Sequence, residues 1–199
     1  MYIYQSSGLP DVLIGEPADL GNLSYKHVNE IFSWDDLHDK GINDFFFYEG
    51  EYRIAKNRSL CGMYGEIGDK QSAKVIRCER GSILLVIADV RPDSPTYLKC
   101  AMIYCDYKNE KAVYCPRGLV FGFLTKSKNV SVRVKYENKY DSKNEIITCP
   151  FDPSLNINWG KEPVIISAKD KFAPTIKEIE KRKLFQKKRE NSILLHQFS

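Results

Sequence analysis

No stretch of this sequence is long and apolar enough to cross a membrane as a helix. Such a span needs about 20 apolar residues, and the longest apolar run, Ile83 to Ala88, is the size of one strand. The first residues, Met1-Tyr2-Ile3-Tyr4-Gln5, lack the charged region and long apolar core of a secretory signal. Histidine is scarce, with His27, His38 and His196 the full set. All lie outside the segments that read as barrel strands, and no cluster of histidine and carboxylate has metal-ligand spacing. Neither a metal nor a cofactor is therefore expected. Six cysteines (Cys61, Cys78, Cys100, Cys105, Cys115 and Cys149) include no Cys-x-x-Cys pair. They read as reduced structural thiols in a cytosol, with disulfides as the alternative. Excess charge is small: 30 Lys and Arg against 26 Asp and Glu give +4. Much of that excess sits in Lys177 to Arg189, so the body has no basic face for nucleic acid. Internal repeats and low-complexity segments are absent as well.

What is present points to β structure. Hydrophobic residues make up 43% and charged residues 28% of the 199-residue chain, as in an ordinary globular domain. Twelve Tyr and ten Phe, with many Val and Ile, favour strands. Strand-like segments are Pro10 to Gly15, Phe45 to Arg53, Lys74 to Arg80, Ile83 to Ala88, Tyr97 to Cys105, Ala112 to Cys115, Leu119 to Leu124 and Val130 to Tyr136. Turn residues such as Asn109, Pro116, Gly118 and Asn129 separate the later ones. Short strands at this spacing predict an all-β sandwich or barrel. One domain over residues 1–172 is expected, followed by a basic helical tail over 173–199.

Several stretches resemble the dTDP-4-dehydrorhamnose 3,5-epimerase family. Lys74-Val75-Ile76-Arg77 with Gly81 is similar to that family's Lys-Leu-Val-Arg strand and its glycine turn. Ala88-Asp89-Val90-Arg91 and Ser94-Pro95-Thr96-Tyr97 resemble a second signature. Pro116-Arg117-Gly118 with Gly122-Phe123 resembles a third. Tyr140-Asp141-Ser142 to Glu145, Asp152-Pro153-Ser154-Leu155 and Trp159 resemble the closing segment. Ile166-Ser167-Ala168-Lys169-Asp170 and Ala173-Pro174-Thr175 resemble its ending. The resemblance runs from about Pro10 to Glu178. It implies a cupin-type jelly-roll barrel with an N-terminal strand arm and a short C-terminal helix. A homodimer, a nucleotide-linked sugar as ligand and a cytoplasmic setting are also implied.

The resemblance further implies a reaction. A base takes a proton from beside a ketone, a lysine holds the enolate, and an acid returns a proton from the other face. Histidine suits the base because it titrates near working pH. Here Lys74 takes the lysine position and Asp152 the position of the aspartate that orients the histidine. Glu30, Glu66, Asp89, Glu145 and Lys169 take substrate-side positions. The histidine position itself is Tyr64, and Cys61 replaces the phosphate-binding arginine. Phe121 replaces a second pocket histidine. Val134 replaces the catalytic tyrosine, with Tyr136 on the same strand face. Leu23-Ser24-Tyr25-Lys26 and Glu49-Gly50-Glu51 replace two further family elements. Glu49 and Glu51 would repel a diphosphate if they faced the pocket.

As sole base, Tyr64 would need its pKa lowered by about 3 units, roughly 4 kcal/mol of differential stabilisation. As a proton donor it is plausible. It also reads as a hydrogen-bonded aromatic filling a former pocket. Lys74 and Asp89 read equally as an ion pair, Asp152 as ordinary turn chemistry, and Glu145 as surface. Two functions stay open. One is a divergent nucleotide-sugar epimerase or isomerase acting on a 4-keto-deoxysugar in deoxysugar or surface-polysaccharide synthesis. The other is a catalytically silent relative that binds such a sugar or supports a partner enzyme. Ordinary 3,5-epimerase activity is expected to be absent or weak.

Overall fold

The structure is a computed structural model that describes residues 2–17, 34–66, 71–142 and 144–182. Glu30, Tyr25 and the later part of the basic tail lie outside the described residues. The strands are β1 (Tyr2–Ser6), β2 (Leu13–Pro17), β3 (Tyr48–Ile54), β4 (Ser59–Glu66), β5 (Lys74–Arg80), β6 (Ser82–Asp89), β7 (Cys100–Asp106), β8 (Ala112–Cys115), β9 (Leu119–Thr125), β10 (Val130–Tyr136), β11 (Glu145–Ile147) and β12 (Ile165–Ile166). Two short helices, α1 (Trp34–His38) and α2 (Ala168–Lys171), interrupt them.

The strands form two sheets. One has the order β1-β2-β8-β5-β10-β3. The other runs β11-β4-β9-β6-β7, with β12 added in parallel to β4. The other pairings are antiparallel, as a jelly roll requires. The two sheets face each other across an apolar core, with Ile76, Val113, Val132 and Val134 on one side and Leu85, Ile87, Phe121 and Phe123 on the other.

Both sheets are also covered outside. Leu37 from α1 and Phe46 pack over Val75, Ala112 and Tyr114. Leu155, Trp159 and Ile176 pack over Leu60, Met63, Val120 and Leu124. Double coverage explains why β9 is buried at every position and why the run from Ile83 to Ala88 needs no polar face. Residues 176–182 are helical. Ile176 is buried, Ile179 packs beside it, and Tyr97 donates to Glu180. The described part of the tail thus docks on the domain. Among the described residues, no helix is long and apolar enough to cross a membrane, and all six cysteines are free.

The feature that shapes the interior is an irregularity in β4. Its pairing with β9 is in step at Cys61 opposite Phe123, then shifts before Tyr64 opposite Phe121. Without the shift, residues three apart would face opposite sides of the sheet. With it, Cys61 and Tyr64 both pack on the inner core, while Met63 joins the outer one. Glycine makes the shift possible. Gly62 has φ of 117°, and an added Cβ would lie 2.5 Å from Gly122 Cα and 2.9 Å from Phe121 O. Gly62→Ala is therefore expected to lower stability by about 2 kcal/mol or more, read as a fall in the urea midpoint.

Candidate active site

At one end of the barrel, polar side chains from both sheets meet. Lys74, the first residue of β5, is 1% exposed although it carries an ammonium group. It donates to Glu66 Oε2, across from β4, and to Ser72 O at 2.8 Å. An ammonium has three N–H donors, so one is left without an acceptor among the described residues. The ring of Tyr136, paired with Lys74 across the β10–β5 ladder, lies 6.0 Å from Nζ. Tyr136 and the buried Val134 share the inner face of β10.

Tyr64 stands on the facing wall. Its hydroxyl donates to Asp170 Oδ2 at 3.0 Å. Its ring stacks on Tyr52 at 6.4 Å between centroids and meets Phe121 edge-on at 6.1 Å. Burial pushes the phenol well above its ordinary value, and the Asp170 charge pushes it further. Tyr64 is therefore a neutral donor at working pH. Burial likewise lifts Tyr136 and, more strongly, Tyr52. The Cys61 thiol is pushed up to about 11, first by burial and then by Asp170.

Asp170 is the residue that sequence reasoning missed. The helix α2 delivers it: Ser167 caps that helix, accepting from Asp170 N and donating to Asp170 Oδ2 at 2.9 Å. Asp170 is 3% exposed, and its Oδ1 is buried without a partner among the described residues. The signal was present as a Ser-x-x-Asp capping pattern. The resemblance assigns the role to Asp152, and the contacts differ from that expectation. Asp152 accepts from Ser154 N at 2.9 Å, from Ser154 Oγ at 2.7 Å and from Ile176 N at 2.7 Å. It closes a turn and caps the following helical segment, and the carboxylate bonded to residue 64 is that of Asp170.

The matches to known proteins decide the family. The model of the dTDP-4-dehydrorhamnose 3,5-epimerase family covers residues 6–178. The dTDP-4-dehydrorhamnose 3,5-epimerase of Escherichia coli strain K12 is 28% identical over 181 residues, 88% of this chain and 95% of the relative. A dTDP-4-dehydro-6-deoxyglucose 3-epimerase from a Streptomyces species is 33% identical over 142 residues, 70% of this chain and 71% of the relative. The crystal structure of the dTDP-4-dehydrorhamnose 3,5-epimerase of Elizabethkingia anophelis NUHP1 is similar with a TM-score of 0.84. It shares 26% identity and covers 89% of this chain and 97% of that one.

The chain belongs to the dTDP-4-dehydrorhamnose 3,5-epimerase family.

In this member of the epimerase family, Lys74 bonds to Glu66 with the Tyr136 ring beside its Nζ, and Tyr64 stands two residues before Glu66 on β4. Glu145 and Lys169 sit beside them. Glu145 is the partner of Glu66 across the β11–β4 ladder, and Lys169 Nζ lies 3.0 Å from its carboxylate. Asp89 stands apart, and the proposed ion pair with Lys74 is not formed, because Lys74 pairs with Glu66. Asp89 is fully buried and accepts from Arg91, from Ser94 Oγ at 2.6 Å and from Thr96 Oγ1 at 2.6 Å. Burial alone would raise its carboxyl; these hydrogen bonds outweigh burial and hold it well below the usual range. Glu49 and Glu51 point outward, Glu49 to Arg133 at 3.2 Å and Glu51 to Arg53 at 2.7 Å. They therefore do not oppose a diphosphate inside the barrel.

Two outcomes follow from these contacts. Tyr64→Phe strips a hydrogen bond from a buried carboxylate and is expected to lower stability by about 1–3 kcal/mol in urea denaturation. Asp89 has a folded pKa below its unfolded value of about 4. Its contribution is therefore complete above that pH and fades as pH falls below it. Asp89→Asn should cost about 2–3 kcal/mol at neutral pH, and the gap from wild type should narrow in denaturation series taken toward pH 2.

Proposed function

We propose that this chain binds a nucleoside-diphosphate-linked 4-keto-deoxysugar beside Lys74 and Glu66 at one end of its barrel and enolises it there, without a histidine at position 64. The observation that supports this reading is the buried Lys74 ammonium, with one N–H lacking an acceptor among the described residues. Such a donor stabilises the negative charge that grows on a ketone oxygen as the neighbouring carbon loses its proton. The relatives named as epimerases of dTDP-linked 4-dehydro sugars supply the substrate class. Tyr136, neutral, is the proton donor in this scheme, Tyr64 keeps its O–H on Asp170, and Glu66, Glu145 and Lys169 are ligand contacts. By kinship, the protein works as a homodimer in cytoplasmic deoxysugar or surface-polysaccharide synthesis.

A second reading has a specific observation behind it. Tyr64 spends its hydroxyl on Asp170, and position 61 carries a neutral thiol where the family pattern has a guanidinium. That favours a relative that holds the sugar nucleotide without turning it over. Incubation of a dTDP-linked 4-keto-6-deoxyhexose with the protein in D2O separates the two. Deuterium should enter beside the ketone, and Lys74→Ala should reduce that rate by about 100-fold or more, an oxyanion-donor loss. Binding without deuterium uptake would establish the silent reading, and no binding in calorimetry would overturn both.

A further inference from the structure

Glu66 occupies a place that the site needs filled. It lies two residues beyond Tyr64 on the same strand face, so its side chain enters the barrel from the β4 wall. Lys74 and Tyr136 enter from the opposite sheet. Within the ion pair, the Lys74 side chain is 2% exposed and that of Glu66 17%. Glu66 is thus the more exposed member of the pair. Lys74 engages its Oε2, and Oε1 has no partner among the described residues.

The other carboxylates nearby are committed elsewhere. Asp170 is more deeply buried, and its Oδ2 is taken by Tyr64 and Ser167. Glu145 is paired with Lys169, and Asp89 and Asp152 close turns. Only Glu66, among these, touches the ammonium that would hold the ketone oxygen. A base adjacent to that ammonium is within reach of the carbon bonded to the carbonyl.

We infer that Glu66 is the catalytic base of this site, displaced by two residues along β4 from the family's histidine position. The inference rests on the reading of the site as one that enolises a 4-keto sugar. The ketone oxygen accepts the free N–H of Lys74. Glu66 Oε1 then takes a proton from the carbon beside the carbonyl. The C–H pair becomes the C=C bond, and the carbonyl π pair moves to oxygen as an enolate balanced by the ammonium. Return of a proton from Glu66 restores the same configuration with solvent hydrogen exchanged in. Return from the Tyr136 hydroxyl, on the opposite wall, inverts the centre. Solvent then reprotonates the phenolate and deprotonates Glu66.

Glu66→Gln tests the assignment, because it keeps the shape and an acceptor for Lys74 while removing the basic oxygens. The assay is deuterium uptake into the dTDP-linked 4-keto-6-deoxyhexose, with calorimetry of the same sugar nucleotide and a thermal midpoint alongside. Uptake should fall at least about 100-fold with ligand binding retained. Glu66→Asp, which keeps the carboxylate, should restore part of the rate. Uptake at the wild-type rate in Glu66→Gln would overturn this inference alone and leave the enolising reading standing. Loss of binding together with uptake in Glu66→Gln, without rescue in Glu66→Asp, would make Glu66 a ligand or structural contact and also overturn it. Wild-type protein that binds without uptake would overturn the enolising reading and this inference together.

Discussion

The close approach of two glycines sets everything else in the barrel. Gly62 on β4 and Gly122 on β9 come so near that neither position has room for a Cβ: at Gly122 it would sit 2.6 Å from Met63 Sδ and 2.9 Å from Cys61 O. The contact allows β4 to slip register against β9. The slip turns Cys61, Tyr64 and Glu66 to one side and sends Met63 to the outer layer, where Leu60, Val120 and Ile146 receive it. A regular strand could present Tyr64 and Glu66 together, but not Cys61 with them. The same backbone that buries the outer core therefore also defines which side chains can meet a ligand.

Much of the fold was legible in the sequence because alternation and double burial leave strong marks. Val130, Val132 and Val134 alternate with Ser131, Arg133 and Lys135, and β10 shows that pattern as buried and half-buried positions. Ala112 to Cys115 and Lys74 to Arg80 were bounded correctly by their flanking turns. Tyr97 was placed in a strand that begins only at Cys100, because residues 97–99 belong to the turn that Asp89 organises. The strand β1 carried too short a pattern to be read. The site was harder. Slippage in β4 depends on a glycine in another strand, a pairing that no local pattern reveals. Asp152 and Asp170 both sit in capping contexts, and only the tertiary path of α2 shows which of them reaches residue 64. Tyr52, which stacks on Tyr64, gave no signal beyond its place in an aromatic-rich strand.

The histidine that the resemblance implies for position 64 would differ from tyrosine in the protons it can hold. At position 64 the ring bonds to a buried carboxylate and stacks on an aromatic neighbour. What differs is the direction of the proton. A neutral imidazole can donate to a carboxylate through one nitrogen and keep the other as an acceptor. A phenol has one O–H, and here it is directed to Asp170. Burial and that same charge both hold the proton in place. Tyr64 therefore has no capacity to take a proton from carbon.

Lys74 and Glu66 resist a purely structural account. Removing an ammonium from water costs several kcal/mol, and an ion pair in the interior often only offsets that cost. A well-packed apolar pair at these positions would serve the barrel as well or better, and the surrounding strands supply apolar side chains freely. The pair also leaves an N–H of Lys74 and an oxygen of Glu66 without partners among the described residues, which a pair selected only for stability has no reason to do. Those groups lie between β4 of one sheet and β5 of the other. An ammonium there can balance an anion that comes and goes, and a carboxylate beside it can hold a proton while it does. Two positions along a strand span roughly 7 Å, so residues 64 and 66 stand on the same wall, and the contact with Lys74 falls to residue 66. The fixed element is the lysine, and the site can be rebuilt around it.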